Sequence, residues 1–227
     1  MTRPQRLIVF DVDGTLVDSQ GDIVAAMTAA FQGAGAAVPQ RENILSIVGL
    51  SLDVAMARLA PELDTTIRSK MVQGYKDAYM SIRAQTGAAL SSPLYPGAAQ
   101  ALTDLGSASE NILGVATGKS KRGLDKLIEA HGLEGVFVTQ QVADYHPSKP
   151  HPSMLLTAMA ETGISPDHAV MIGDTSYDMD MARAAGIRAI GVSWGYHDSA
   201  ELTGAHEIID GFEALSATLE QIWGAQL

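Results

Sequence analysis

The stretch DVDGTLVDS at residues 11–19, directly behind the apolar run LIVF at 7–10, decides how this chain is read. LIVF is short and shows no polar alternation, so it reads as a strand buried on both faces of a parallel sheet. Two carboxylates, Asp11 and Asp13, follow at its carboxyl end, where they can address one reaction centre, and Gly14 permits the tight turn beneath them. Acids after a strand also serve as turn formers or helix caps. Asp18 and Ser19 fit that use, because Ser19 and Asp22 have capping-box spacing for a following helix.

Four more apolar runs, at residues 112–116, 136–138, 169–172 and 189–192, read as further buried strands. Helical patterns lie between or beside them at 98–105, 123–131, 153–161 and 177–185, the last closed by Gly186 as a C-cap. Alternation of this kind predicts an α/β fold with a doubly wound parallel sheet. About ninety residues without a convincing strand separate the first two runs, far more than a crossover needs. Within them Ile23, Met27 and Phe31 form one helical stripe, and Ile67, Met71, Tyr75 and Tyr79 a longer one. Shorter patterns at 44–48 and 52–59 complete an inserted all-helical cap, and the Met and Tyr stripes read as its core. The domain expectation is a core of residues 1–17 and 91–227 and a cap of 18–90, with joints near 17–21 and 87–96, where Gly, Ser and Pro gather.

Composition narrows the function. A formal charge of −11 without a basic cluster argues against a nucleic-acid partner. No apolar run approaches the roughly 20 residues of a membrane span, and the N-terminus reads as lacking a signal peptide. The absence of cysteine removes disulfides, thiolate zinc sites and cysteine nucleophiles, and it agrees with a reducing compartment, so cytoplasm is the expected location. A small anionic substrate remains compatible, because a few cations and a bound metal can reverse the sign of one pocket.

Three later stretches supply such groups. VATGKS ends the second strand with Thr117 and Gly118, a hydroxyl and an exposed amide suited to cradling a phosphate oxygen. SKPHPS puts Lys149 at a helix start, where the dipole disfavours a cation unless an anion sits beside it. MIGDTSYDMD places Asp174 at another strand end, with Asp178 and Asp180 in or near the first helical turn, where the dipole favours acids in any case. Asp174 is the better metal ligand of these. Hard oxygen donors with no His or Cys cluster point to magnesium rather than zinc.

In this order, DVDGTLVDS, VATGKS, Lys149 in KPHP and GDTSYDM resemble the four motifs of the haloacid dehalogenase superfamily, and the resemblance spans essentially the whole chain. It is nearest to the phosphoglycolate-phosphatase-like branch, whose helical cap falls between the first two motifs. The resemblance implies a Rossmann-like core and a magnesium-dependent phosphatase that cleaves a small phosphorylated metabolite through an aspartyl-phosphate. It further implies Asp11 as nucleophile, Asp13 as general acid and base, Thr117 and Gly118 holding the phosphoryl oxygens, and Lys149 neutralising them. Magnesium would be held by Asp11, the Asp13 carbonyl and Asp174, with Asp178 as a further ligand or as support.

Rival readings share parts of this set. A sugar-phosphate mutase of the same superfamily would use every motif and pass the phosphoryl group to a substrate hydroxyl. A receiver-type signalling module would also phosphorylate an aspartate but needs neither a leaving-group acid nor a lid. Dehalogenation needs no metal, and a phosphonate hydrolase wants a Schiff-base lysine where the cap offers only Lys70 and Lys76. For specificity, Gly49 and Ser51 suggest a loop dipping toward the site, and Arg58 and Lys76 are candidates for a substrate carboxylate. WGYH at 194–197 reads as packing near the site or forming an interface, and the chain as a monomer or homodimer.

Overall fold

The computed structural model describes residues 4–224, so the outermost ends of the expected core, 1–3 and 225–227, lie outside the described residues. Six parallel strands form one sheet: β1 (Arg6–Phe10), β2 (Asn111–Thr117), β3 (Thr139–Val142), β4 (Ala169–Gly173), β5 (Arg188–Val192) and β6 (Glu207–Ile209). Their order is β3-β2-β1-β4-β5-β6, with β1 between β2 and β4. The chain winds outward from β1 to one side and then crosses to β4 on the other. Such a reversal leaves a crevice outside the carboxyl ends of the central strands.

Successive side chains of a strand face opposite sides, and β1 shows both sides buried. Ile8 and Phe10 join the apolar layer beneath α6 (Ala98–Ser107), α7 (Lys121–His131) and α10 (Leu215–Gly224), whereas Leu7 and Val9 face α8 (Ser153–Thr162) and α9 (Ser176–Ala185). Burying such a side chain stabilises by about 1.5–3 kcal/mol. The exposed ion pairs Lys121–Asp125, Lys126–Glu129 and Arg183–Asp180 contribute about 0–1 kcal/mol each, so apolar burial and not surface charge holds the sheet between its helices.

Ahead of α6, five further helices occupy the long interval between β1 and β2: α1 (Gln20–Gly33), α2 (Arg41–Leu45), α3 (Leu52–Leu59), α4 (Thr65–Thr86) and α5 (Ala88–Ser91). The first four of them share an apolar cluster that contains Ile23, Met27, Phe31, Ile44, Met56 and Met71, with Ile67, Tyr75 and Tyr79 at its margin. The two connections to the sheet run side by side. Val17 bridges Leu94, the Asp18 amide donates to Pro93 O at 2.9 Å, and the Tyr95 amide to Leu16 O at 2.9 Å.

Three local expectations differ from the structure. The run VFV at 136–138 is not a strand: Phe137 packs into the core, Val138 is 71% exposed, and β3 is the polar TQQV that follows. At this sheet edge Thr139 and Gln141 are satisfied by Glu161, so apolarity does not mark the strand. The short edge strand β6 and the helix α10 carry patterns that the strand and helix assignments passed over. Ser19 does not cap α1 with its side chain, because its hydroxyl is drawn to Asp13 instead, and Asp22 accepts from Ser91.

Candidate active site

Strand register brings the predicted residues together. Phe10 pairs with Val115 and Ile172, so Asp11, Thr117 and Asp174 all emerge within a residue or two of the same sheet edge. The Asp11 amide is fixed by Ile172 O at 2.9 Å, and its side chain is buried. Lys149 arrives from the loop between β3 and α8. Its Nζ lies 2.7 Å from Asp11 Oδ1 and 2.7 Å from Asp178 Oδ1, with the lysine side chain fully enclosed. The expectation of an anion beside this lysine is met by two.

Asp178 is both the first-turn acid of α9 and a partner of Lys149. Its Oδ2 accepts from the Thr175 amide and hydroxyl in a capping box that starts α9, while Oδ1 faces Lys149. Asp174 is gripped at both oxygens, Oδ1 by the Thr15 hydroxyl at 2.9 Å and Oδ2 by the Tyr196 amide at 2.8 Å. Glycine is required around it. A Cβ on Gly14, whose φ is +87°, would stand 2.1 Å from Asp174 Oδ2, and one on Gly195 2.0 Å from its Cβ. Asp180 is outside the cluster, paired with Arg183 on the surface.

Charge in this cluster does not balance. Ligand oxygens of Asp11, Asp174 and Asp178 lie within 4.8 Å of one another, all three residues are buried, and Lys149 is bonded to Asp11 and Asp178. Burial pushes the Asp11 carboxyl up to about 7 despite Lys149, and burial with the Asp11 and Asp178 charges pushes Asp174 well above the carboxylate range. Burial draws Lys149 down, but Asp11 and Asp178 outweigh it and hold it above its usual value. Asp11 Oδ2 is enclosed yet has no hydrogen-bond partner among the described residues. An unengaged acceptor beside surplus negative charge is what an oxygen-ligated divalent cation would satisfy, so the buried triad fits a metal site.

Asp13 faces the cleft from the other side of the turn, where Oδ1 accepts from Lys119 Nζ at 2.7 Å and also from the Ser19 hydroxyl. Lys119 was not singled out from the sequence, although it lies in VATGKS and its side chain is as enclosed as that of Asp13. A cation directly after a strand-end Thr-Gly turn was the available signal. Thr117 Oγ1 accepts from the Lys119 amide at 3.2 Å. Gly118 is needed because a Cβ there would lie 2.7 Å from both Gly49 O and Leu50 O. The Gly49–Ser51 loop therefore does dip onto the site, and the Ser51 amide donates to Ser148 Oγ at 2.8 Å.

Other cap expectations divide. Arg58 is engaged by Tyr177, donating to its hydroxyl at 2.8 Å, while Lys76 lines the cleft. Tyr79 is more than bundle core, since Lys119 Nζ lies 3.4 Å from its hydroxyl. WGYH takes the nearer of its two expected places: Tyr196 holds Asp174 and the Ser19 amide, and Trp194 donates to Thr15 O.

The model for the haloacid dehalogenase-like hydrolase family matches residues 8–192. A Dickeya dadantii chain named "Probable phosphatase IndB" is 35% identical over 211 residues, spanning 91% of this chain and 90% of its own. A Vibrio parahaemolyticus chain named phosphoglycolate phosphatase is 30% identical over 200 residues, 85% of each. The solved structure of a haloacid dehalogenase-like family hydrolase from Streptococcus pneumoniae superimposes with a TM-score of 0.80 at 26% identity, over 94% of this chain and 98% of that one. A match across most of the sheet, agreeing with relatives that cover nearly the full length, places this chain in the haloacid dehalogenase-like hydrolase family.

Proposed function

We propose that the protein is a magnesium-dependent phosphatase that hydrolyses a small, phosphoglycolate-like phosphate monoester through an aspartyl-phosphate on Asp11. The observation that carries this reading is the Asp11 carboxylate, held by Lys149 through one oxygen and left with the other enclosed and unengaged among the described residues. Asp11 attacks phosphorus and the bond to the leaving oxygen breaks. Asp13 Oδ1 is committed to Lys119 and Ser19, so Oδ2 gives the proton to the departing alkoxide. Water then attacks the aspartyl-phosphate, releases Asp11 and returns a proton to Asp13. Thr117 and the Gly118 amide position the phosphoryl oxygens, and Lys149 offsets their charge.

The residues that would hold magnesium are Asp11, Asp174 and the Asp13 carbonyl, with Asp178 as a further ligand or as support for Lys149. When bound, the ion supplies the positive charge that the three carboxylates and a phosphate dianion together lack. Residues 18–90 act as a lid over the crevice, joined through the paired connections at Val17 and Leu94. No described helix is long and apolar enough to cross a membrane. We place the enzyme in the cytoplasm, as a monomer or homodimer.

A panel of phosphate monoesters assayed with magnesium and after chelation tests the reading. Free phosphate is expected only with the metal, and equal release after chelation would remove the metal from the proposal. Transfer to a second hydroxyl of the substrate would indicate a mutase, and a long-lived phosphoprotein a signalling module. Cation affinity itself should depend on pH. Protons and a divalent ion compete for the same carboxylates. With Asp11 raised to about 7 and Asp174 also raised, magnesium affinity measured calorimetrically without substrate is expected to fall as pH drops through about 7. A constant affinity from pH 8 to pH 5.5 would contradict it.

A further inference from the structure

Helix α4 carries Lys76 and Arg83 to the cleft, and the phosphoryl chemistry has no use for Arg83. Arg83 stands in its last turn, and its Nε and Nη2 are shielded from solvent while donating to no acceptor among the described residues. A helix C-terminus favours positive charge, but a dipole does not satisfy N–H donors. Asp22, the acid that senses Arg83, is taken by the Ser91 hydroxyl and forms no ion pair with it among the described residues. The Arg83 guanidinium lies 5.6 Å from the Tyr79 ring centroid, and Lys119 Nζ lies 5.4 Å from the same centroid. Tyr79 thus links Arg83 to the lysine that contacts Asp13, the proposed donor to the leaving group.

The surroundings match an anionic leaving group. The cleft has a volume of about 760 Å³ and reaches from Asp13 and Gly118 to Arg83. Its lining includes Lys76, Arg83, Lys119, Arg122 and Lys126 against Asp13, Asp53 and Asp144, a local excess of positive charge in a chain of net charge −11. Lys119 is paired with Asp13 and Lys126 with Glu129, whereas Arg83 forms no ion pair among the described residues.

We propose that Arg83 determines specificity by binding an oxyanion on the leaving group, so that preferred substrates carry the scissile phosphate at one end and a carboxylate or second phosphate at the other. This rests on the phosphatase reading above. The guanidinium fork matches such an oxyanion in two parallel hydrogen bonds, and a site built to pair buried donors discriminates against esters that leave them empty.

The test compares kcat/KM for an alkyl phosphate, the ω-carboxyalkyl phosphate of the same chain length and the corresponding bisphosphate. The wild type is expected to favour at least one acid-bearing ester by about 100-fold. Arg83→Gln should collapse that ratio to within about fivefold and Arg83→Lys should restore part of it, since a lysine keeps the charge and loses the fork. The two acid-bearing esters distinguish carboxylate from phosphate recognition. A wild type without preference, or a ratio unchanged in Arg83→Gln, overturns the proposal. Calorimetric binding of the inert alkyl and ω-carboxyalkyl phosphonates separates this from failure of the phosphatase reading. If no ester is hydrolysed, an Arg83-dependent preference among the phosphonates still supports the assignment, and its absence overturns it.

Discussion

Asp11→Asn is expected to lower phosphate release by about 10⁵-fold or more, the scale on which removal of a covalent nucleophile acts. Asparagine keeps the shape of the side chain and an oxygen for Lys149, so the 2.7 Å contact and the sheet edge can persist. Unfolding should not explain the loss. The folded-state pKa of Asp11 is about 7 against 3.8 for the free carboxyl, so the fold binds a proton that the unfolded chain releases. Stability from this group is therefore present at low pH and lost as pH rises from about 4 to 7 in metal-free protein. The amide removes that slope, so the variant should melt no lower than wild type at neutral pH without metal. Steady-state release and acid-quench trapping of the phosphoprotein check it. Retained turnover or retained labelling would remove Asp11 as the nucleophile.

Lys149→Met is expected to be harmful to the fold as well as to turnover. Removing one member of a buried ion pair leaves its partners charged without compensation, at a cost of about 3–5 kcal/mol. Here two carboxylates, Asp11 and Asp178, depend on one ammonium at 2.7 Å from each. Lys149 is held above its usual pKa, so it contributes fully across neutral pH and would be lost only in strong alkali. Metal-free denaturation at pH 8 should show the deficit, and lowering the pH should recover part of it, because the stranded carboxylates can then take protons. Arginine should not substitute, since its planar fork does not reproduce a point charge between two acids in an enclosed space. Phosphate release should fall by about 10³-fold even where the variant is folded, as expected for loss of a preorganised cation beside the transferred group. A variant with wild-type stability at pH 8 would show that the cluster does not need this charge.

Much of the architecture was written locally. Apolar runs such as 7–10 and 169–172 are buried on both faces, and parallel strands of that kind announce themselves without partners. The edge strands did not, because TQQV at 139–142 satisfies polar groups with Glu161 from α8, a residue twenty positions away. Ser19 was legible only as a cap, since its real partner, Asp13, is reached by the fold of the turn between them and not by helical spacing. Tyr79 shows the same limit, because a stripe at period four reports burial but not that its hydroxyl reaches Lys119 across the cleft.

The sequence by itself determined the central strands, the inserted helices and the residue types at four strand ends or helix starts, because each depends on neighbours within a few positions of the chain. Only the tertiary structure decided that Lys149 spans Asp11 and Asp178, that Lys119 takes Asp13, that Tyr196 holds Asp174, and that Nε and Nη2 of Arg83 meet no acceptor among the described residues. Those relations join residues up to 138 positions apart, as Asp11 and Lys149 are. They are set by strand order and register and by how the helices seat on the sheet, distances that no local pattern encodes.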